Sequence, residues 1–236
     1  MTIDRERDLL TARALRVRVR PDHPEPDIVL NAANIIRQGG LVAYPTETLY
    51  GLGADPFQAA AVEKLFAVKG RPAGSALILL VARTNQAFDV AQVSGIGRRW
   101  FEKLTAAFWP GPLTLVLPVR RGLRCPALAG GETVAVRFSP HPVARLLVQT
   151  VGMPITSTSA NLSGGPPPGS ADAIDPTLAA RLDLVLDSGP TAGGAASTML
   201  DITGPYPVIR RQGEITPERI ARVIAVKPRP AEPAVA

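Results

Sequence analysis

Side chains that bind metals or form disulfides are scarce in this 236-residue sequence. It contains one cysteine, Cys125, and two histidines, His23 and His141. A single cysteine excludes an internal disulfide and a multi-cysteine zinc site, and two histidines are too few for an ordinary histidine-based metal centre. Any chemistry must therefore depend mostly on Lys, Arg, Ser, Thr, Asn, carboxylates or a metal that arrives with the substrate.

Long apolar segments and several common motifs are also missing. The longest apolar run, residues 76–82, is far shorter than the roughly 20 residues of a membrane-spanning helix. The N-terminus, MTIDRERDLL, is charged where a signal peptide would be apolar. The sequence has no G-x-x-x-x-G-K-[ST] phosphate loop, no G-x-G-x-x-G dinucleotide loop and no G-x-S-x-G nucleophile elbow. These absences predict a cytoplasmic protein with no membrane partner and exclude the commonest nucleotide-binding and hydrolase signatures.

The basic charge is concentrated at the two ends of the chain. The sequence carries 26 Lys and Arg against 20 Asp and Glu, which gives a formal net charge of +6. The first 20 residues carry 6 − 3 = +3 and the last ten carry 2 − 1 = +1, so residues 21–226 carry only 18 − 16 = +2. This distribution argues against a protein whose main surface binds nucleic acid. The N-terminal arm is interpreted as either a solvated segment or a weak contact to a polyanion such as tRNA.

Hydrophobic periodicity predicts one α/β domain built on a mixed parallel and antiparallel sheet with flanking helices. We expect residues 1–26 to be a basic, proline-rich arm, residues 27–226 to be the catalytic domain and residues 227–236 to be a flexible tail. The predicted helices are 28–38, 58–68, 96–108, 143–150 and 216–224. The predicted strands are 41–44, 76–82, 113–119, 133–138, 154–158, 182–187, 197–202 and 207–211.

Two segments that follow predicted strands carry hydroxyl and amide groups. Residues 44–53, YPTETLYGLG, offer Thr46, Thr48 and Tyr50, and residues 157–165, STSANLSGG, offer a further cluster. Strand ends are where ligands of α/β sheets usually bind, and such groups suit phosphate, ribose or amino-acid recognition. Taken alone, each segment is equally well interpreted as an ordinary polar turn.

Three arginine-bearing segments are the other candidates. In Lys69-Gly-Arg-Pro72, an extended backbone would place Lys69 and Arg71 on one side as a two-pronged cation for phosphate or carboxylate. The alternative is a solvated pair at a helix end. Arg137 ends an apolar run, where an unpaired charge is costly, so we expect it to face a cleft or an acid. The last candidate is Arg210-Arg211 before the final helix, with Ser197 on a preceding strand.

These segments, in this order, resemble the YrdC-like threonylcarbamoyl-AMP synthase family, in its single-domain form. The matching stretches are PTETLYGLGADP, KGRP, PGPLTLVLP, TVAVRFSPHPVA, PITSTSANLSG and IRRQGEIT. The resemblance covers roughly residues 28–224, and the paired Lys-x-Arg and Ser-x-Asn are a hallmark of the family. It implies a twisted sheet that curves around a positively charged cavity.

The resemblance also implies a reaction and a set of roles. L-threonine, bicarbonate and ATP would give threonylcarbamoyl-AMP and pyrophosphate, and partner proteins would transfer the threonylcarbamoyl group to tRNA. Mg²⁺ would bind through the ATP phosphates. The implied catalytic residues are Lys69 and Arg71. The implied ATP-binding residues are Lys69, Arg71, Thr133, Ser159, Asn161 and Arg211. The implied threonine-binding residues are Thr46, Tyr50, Arg137, Ser157 and Ser197.

The sequence departs from the family pattern at three positions. Ala76 stands where a proline is common, Leu80 where longer members often carry a histidine, and Ala196 where a glutamate commonly precedes the serine. Two alternative functions are also compatible with the sequence. One is a double-stranded RNA or tRNA-binding module without adenylate-forming activity. The other is a carbamoyl-transfer domain like that of hydrogenase maturation proteins, whose additional acylphosphatase and zinc-finger regions this sequence lacks.

Overall fold

A computed structural model describes residues 15–72 and 74–231, and it divides the strands between two sheets. The helices are α1 (Pro26–Arg37), α2 (Ala59–Lys69), α3 (Gly95–Phe108), α4 (Pro142–Val151), α5 (Pro176–Ala179) and α6 (Pro217–Ile224). The strands are β1 (Leu15–Arg18), β2 (Val42–Pro45), β3 (Tyr50–Gly53), β4 (Ile78–Leu80), β5 (Leu113–Pro118), β6 (Thr133–Arg137), β7 (Ile155–Thr156), β8 (Thr158–Ser159), β9 (Leu184–Asp187), β10 (Thr198–Asp201), β11 (Val208–Arg211) and β12 (Arg229–Pro230).

Each sheet mixes parallel and antiparallel neighbours, as predicted. The five-stranded sheet has the order β1-β9-β2-β3-β8, and the seven-stranded sheet has the order β12-β11-β10-β5-β6-β4-β7. The predicted mixed sheet with flanking helices is confirmed, and its strands divide between two sheets. Residues 154–158, predicted as one strand, divide into β7 and β8, which pair with β4 in one sheet and β3 in the other. A break in a short strand is thus the point at which the chain passes between the sheets.

Two apolar clusters hold the layers together. One lies between the five-stranded sheet and helices α1 and α4, with Ile36, Tyr44, Leu147 and Leu184 fully buried. A larger cluster joins the remaining helices to both sheets. Helix α1 contributes Val29 and Ile36 at helical spacing, which explains why its sequence pattern predicted the element well.

Part of the predicted N-terminal arm belongs to the fold. Strand β1 pairs in parallel with β9, in the register Leu15 to Leu184 through Arg18 to Asp187, and Val19 is buried. The short LRVR segment falls within the predicted arm because arginines dominate its pattern. Its parallel pairing with a strand far along the chain leaves no local signal in the sequence. Residues 1–14, with Arg5, Arg7 and Arg13, lie outside the described residues.

The C-terminal segment also joins a sheet. Arg229–Pro230 form β12, which pairs in parallel with β11, and the Arg229 guanidinium lies 3.7 Å from the centre of the Tyr206 ring. The expectation of a flexible tail from residue 227 is therefore wrong for this strand, while residues 232–236 lie outside the described part of the chain. Within that part, the helices are too short or too polar to cross a bilayer.

Candidate functional site

A cavity of about 300 Å³ lies where the two sheets meet. Its wall comes from the β2–β3 hairpin, the loop after α2, the ends of β6 and β11, and the segments around β8 and β10. The lining residues are Thr46, Thr48, Leu49, Tyr50, Gly51, Arg71, Ala76, Ile78, Arg137, Ser157, Thr158, Ser159, Pro167, Ala196, Ser197, Met199 and Arg211. Segments far apart in the sequence thus contribute three arginines and a series of hydroxyl groups to one space.

Most of the predicted site residues line this cavity. They are Thr46, Tyr50, Arg71, Arg137, Ser157, Ser159, Ser197 and Arg211. Lys69 and Asn161 are outside the lining, and the Lys69 ammonium connects them to it by donating to the carbonyl oxygens of Ser159 and Asn161. The structure thus brings together residues from all of the predicted segments, while their roles stay predictions.

Arg137 is held in place by an acid and a hydroxyl. Its Nη2 donates to Glu47 Oε1 at 2.6 Å and to Thr48 Oγ1 at 3.0 Å, and the residue is 8% exposed. Its Nε is buried and has no hydrogen-bond partner among the described residues. The expectation that Arg137 faces a cleft or an acid is confirmed on both counts. The ion pair with Glu47 offsets its charge, so the predicted positive charge of the cavity stays a prediction.

Arg211 binds the segment that carries Ser197. Its Nε and Nη2 donate to the Ser197 carbonyl oxygen at 3.1 and 3.0 Å, and Nη2 also donates to Ser197 Oγ at 3.0 Å. Ser197 Oγ lies 2.8 Å from Thr114 Oγ1 on β5. Burial, together with the nearby charge of Arg137, lowers the pKa of Arg211. The two guanidinium groups therefore lie near enough for their charges to interact.

Residues Lys69–Arg71 do not form the extended backbone that the sequence predicts. Lys69 is the last residue of α2, and Gly70 ends the helix with a left-handed φ of 58°, which favours glycine. The Lys69 ammonium donates to the carbonyl oxygens of Ser159 and Asn161 at 2.5 and 2.6 Å. Arg71 lies in the cavity wall. The end of the helix therefore lies between the two residues, and the Lys69 ammonium bonds the segment around β8 while Arg71 lines the cavity.

Burial changes the acid–base behaviour of Lys69. The residue is 3% exposed. Burial first, and the Arg71 charge second, lower the pKa of its ammonium to about 8. Desolvation favours the neutral amine, and a neighbouring cation acts in the same direction. Lys69 is thus a cation at pH 7 that loses its charge within the mildly alkaline range.

Asn161 stabilises the loop after β8. Its Nδ2 donates to the carbonyl oxygens of Leu162 and Gly165, both at 2.7 Å. Its Oδ1 is buried and has no hydrogen-bond partner in residues 15–72 and 74–231. A buried acceptor without a donor is costly, so this oxygen marks a point where a ligand donor or a water would bind.

The hydroxyls of Thr46 and Tyr50 already have partners inside the protein. Thr46 Oγ1 donates to the Leu49 carbonyl oxygen at 2.6 Å and accepts from the backbone N–H groups of Thr48 and Leu49. The Tyr50 hydroxyl donates to the Gly189 carbonyl oxygen at 2.7 Å and accepts from the Ser188 N–H. These hydroxyls therefore shape the wall of the cavity and hold its loops.

One predicted residue and one family departure lie away from the cavity. Thr133 is exposed at the start of β6, four residues before Arg137, which is about 13 Å along a strand. Its predicted contact with ATP stays a prediction. Leu80 is buried in the apolar cluster that packs against helices α1 and α4. Ala76 and Ala196, by contrast, line the cavity. Only two of the three departures therefore change the surface that meets a ligand.

Sequence reasoning missed residues that support the lining. Glu47 pairs with Arg137, and Ser139 donates to the second oxygen of Glu47 at 2.5 Å. A Cβ at Gly213 would lie 2.1 Å from the Ala196 carbonyl oxygen, so the backbone beside Ser197 requires glycine there. The acid in the middle of PTETLY was the available signal for Glu47, because the buried charge of Arg137 required a partner.

Comparison with known proteins relates this cavity to a defined family. A family model named Sua5/YciO/YrdC, described as "Telomere recombination", matches residues 34–213. Threonylcarbamoyl-AMP synthase of Bacillus subtilis is 41% identical over 197 residues, which cover 83% of this chain and 56% of that protein. The chain thus spans about half the length of this relative. A putative threonylcarbamoyl-AMP synthase of Mycobacterium tuberculosis is 37% identical over 84% of this chain and 89% of that protein.

Solved structures agree with this relationship. Sua5 of P. abyssi complexed with L-threonine superposes with a TM-score of 0.86 at 38% identity, covering 92% of this chain and 63% of that one. YciO of E. coli superposes with a TM-score of 0.77 at 25% identity, covering 88% of this chain and 99% of that one. The matched family model spans the segments that build the cavity, from the β2–β3 hairpin to Arg211. The chain belongs to the Sua5/YciO/YrdC family.

Proposed function

We propose that this protein is a threonylcarbamoyl-AMP synthase. The observation that carries the proposal is that residues predicted for the amino acid and residues predicted for ATP line one cavity of about 300 Å³. Relatives with 37–41% identity bear that name, in one case as a putative assignment, and a solved relative is described as complexed with L-threonine. A site that binds both substrates side by side is what a condensation of the two requires.

The proposed reaction joins two anions and releases a third. The amine nitrogen of L-threonine bonds to the carbon of CO₂ delivered as bicarbonate and forms a carbamate, and one amine proton leaves with the hydroxyl group of bicarbonate as water. A carbamate oxygen then bonds to the α-phosphorus of ATP while the bond to the bridging oxygen of the β-phosphate breaks, so pyrophosphate leaves. No protein nucleophile is needed, and positioning with charge neutralisation is the main requirement.

The chain's own residues divide this work. In this proposal the Arg137 guanidinium binds the threonine carboxylate, and Thr46, Tyr50, Ser157 and Ser197 shape the pocket around the amino acid. Charged hydrogen bonds of this kind are stronger than neutral ones. Ser157 and Ser197 carry hydroxyls in the lining itself.

The phosphate end of the cavity has a separate set of residues in this proposal. Lys69, Arg71 and Arg211 neutralise the triphosphate, and Ser159, Asn161 and Thr133 orient the nucleotide. The described residues contain no cluster of three or more His, Cys, Asp or Glu side chains. We therefore infer that Mg²⁺ enters on the phosphate oxygens of ATP as part of the substrate. Threonylcarbamoyl-AMP is a reactive mixed anhydride, so its use requires downstream proteins that transfer the threonylcarbamoyl group to tRNA.

Pyrophosphate release from ATP tests the proposal. The purified chain is assayed with and without L-threonine and bicarbonate, beside Lys69→Ala and Arg71→Ala. We expect release to need both co-substrates and to fall about 100-fold or more in each variant, as when one transition-state donor is lost. Lys103→Ala and Arg121→Ala, which remove exposed side chains of the same types, should leave the rate unchanged.

Two results would contradict the proposal. The first is release that does not depend on threonine. The second is a folded protein that releases no pyrophosphate but binds tRNA in a salt-dependent manner. If that binding persists when Arg5, Arg7 and Arg13 of the full chain are replaced by Gln, the RNA-binding alternative is favoured.

A further inference from the structure

Glu47 lies in the turn between β2 and β3, outside the cavity lining, and contacts two neighbours with its carboxylate. One oxygen accepts from Arg137 Nη2 at 2.6 Å, and the other accepts from Ser139 Oγ at 2.5 Å. The side chains of Glu47 and Arg137 are 17% and 9% exposed. The carboxylate therefore forms a largely buried bridge between the end of β6 and the residues that follow it.

Ser139 keeps this carboxylate in place. Ser139 is 1% exposed, and its hydroxyl oxygen accepts the backbone N–H of His141 at 3.2 Å, which leaves its proton for Glu47. With one oxygen bound to Ser139 and the other to Arg137, Glu47 is fixed at both oxygens. A side chain held in this way orients its partner without moving into the cavity itself.

As a result, the Arg137 guanidinium is oriented through its Nη2 atom. Nη2 has two protons, and it donates to Glu47 and to Thr48 Oγ1. Nε, by contrast, is buried and has no partner in the described part of the chain. Because the guanidinium is planar, fixing Nη2 also fixes the direction of its other donors. Arg137 itself lines the cavity, so these donors are available to a carboxylate bound there.

We propose that Glu47 is a positioning residue that orients Arg137 for the carboxylate of the amino-acid substrate, with Ser139 as its anchor. This inference rests on the proposed function for the identity of that substrate. The competing interpretation is that Glu47 imitates the substrate carboxylate and is displaced when the amino acid binds. The bond to buried Ser139 and the position of Glu47 outside the lining favour positioning over displacement.

Glu47→Gln in the full chain separates these interpretations. Arg137 and Ser139 donate to different oxygens of Glu47, and in the amide one of these two positions becomes an NH₂ donor, so only one of the two bonds can keep its present form. We expect the Kd for L-threonine, measured by titration calorimetry without nucleotide, to rise about tenfold, since a charge-assisted bond is lost. The KM for ATP in pyrophosphate release should change less than twofold. The matched control Glu63→Gln, at an exposed position of α2, should leave both constants unchanged.

Two further variants test whether Glu47 acts through Arg137. Ser139→Ala keeps the charge and removes the anchor, so we expect a two- to threefold rise in the Kd for L-threonine. In an Arg137→Lys background, adding Glu47→Gln should change the Kd less than twofold, because the oriented guanidinium is already absent. A purely structural role for Glu47 would produce equal losses in both backgrounds.

The outcomes distinguish this inference from the proposed function. A wild-type chain that does not bind L-threonine overturns both. Binding by wild type with an unchanged Kd in folded Glu47→Gln overturns the inference alone, and a lower Kd overturns it in favour of displacement. If Glu47→Gln does not fold, Ser139→Ala decides, and an unchanged Kd in that variant overturns the inference.

Discussion

The four predicted cations differ in how firmly the protein holds them, and Arg71 is the one that is held loosely. Arg137 and Arg211 each make several hydrogen bonds, to Glu47 and Thr48 in one case and to Ser197 in the other. Lys69 is likewise fixed by two carbonyl oxygens, whereas Arg71 makes one long hydrogen bond of 3.4 Å among the described residues.

This difference matches what the two proposed ligands demand. Threonine is small, and recognising it requires donors that are oriented before it arrives. A triphosphate carries several charges and brings its own contacts, so an arginine without strong partners in the protein can adjust to it. In the proposed function, the cavity therefore combines a preorganised arginine for the amino acid, Arg137, with a less constrained arginine for the triphosphate, Arg71.

The largest expected effect follows from removing Arg137, whose charge is paired with Glu47. Arg137→Met leaves the Glu47 carboxylate largely buried without its cation, which costs about 3 kcal/mol of unfolding free energy, the lower end for a broken buried pair. Urea unfolding measures this loss, and pyrophosphate release should fall below detection because the threonine carboxylate has lost its partner.

Arg98→Met provides the matched comparison. The Arg98–Glu102 pair has the same 2.6 Å separation but is 46% and 58% exposed. Its loss should cost less than about 1 kcal/mol, as for other solvated pairs. Equal losses in the two variants would show that the burial of Arg137 does not set the strength of its ion pair.

The next effect concerns the charge of Lys69. With a pKa of about 8, its ammonium is deprotonated as the pH rises, so kcat/KM for ATP should fall about tenfold between pH 7 and pH 9. Pyrophosphate release at low ATP and saturating threonine measures this limb. Lys69→Arg, which does not titrate in this range, should lack it; the same limb in that variant would assign the titration to another group.

Stability should change in the opposite direction over part of this range. The folded-state pKa of Lys69 lies below its ordinary value of 10.5, so the unfolded chain binds more protons between about pH 8 and 10.5. The contribution of Lys69 to stability therefore rises with pH there, because the unfavourable burial of its charge is relieved. A fall in activity without a fall in melting temperature would separate the loss of the cation from unfolding.

The smallest expected effect comes from disturbing the backbone beside Ser197 without removing a charge. At Gly213→Ala, the new Cβ would meet the Ala196 carbonyl oxygen at 2.1 Å and the backbone of Ser197 and Thr198 at 2.5 Å. We expect a loss of about 1–3 kcal/mol of unfolding free energy and a severalfold rise in KM for threonine. Gly204→Ala, where the new Cβ would lie 3.9 Å from the Tyr206 carbonyl oxygen, should be neutral in both measurements.

The sequence predicted the local elements better than their partners. Helix α1 and strand β5 follow from spacing within a few residues, and they lie close to the predicted bounds. Strand β3 was missed because YGLG is glycine-rich and depends on pairing with β2 and β8 for its conformation. The division into two sheets depends on pairings between distant segments, which no local pattern specifies.

The candidate site shows the same limit. Arg71, Arg137 and Arg211 were identified individually, and the resemblance to a family placed them together before the fold was known. Glu47 was not identified, because its importance comes from contacts with Arg137 and Ser139, about 90 positions away. Side chains that contact a ligand leave motifs, whereas residues that position them are recognised from three-dimensional contacts.

The central claim is that Arg137 serves the amino acid, whereas Arg71 serves the triphosphate. Titration calorimetry of L-threonine into Arg71→Ala and Arg137→Met, without nucleotide, tests it directly. The account predicts that Arg71→Ala binds L-threonine with the wild-type Kd and that Arg137→Met shows no measurable binding. Loss of threonine binding in Arg71→Ala, or wild-type binding in folded Arg137→Met, would contradict it.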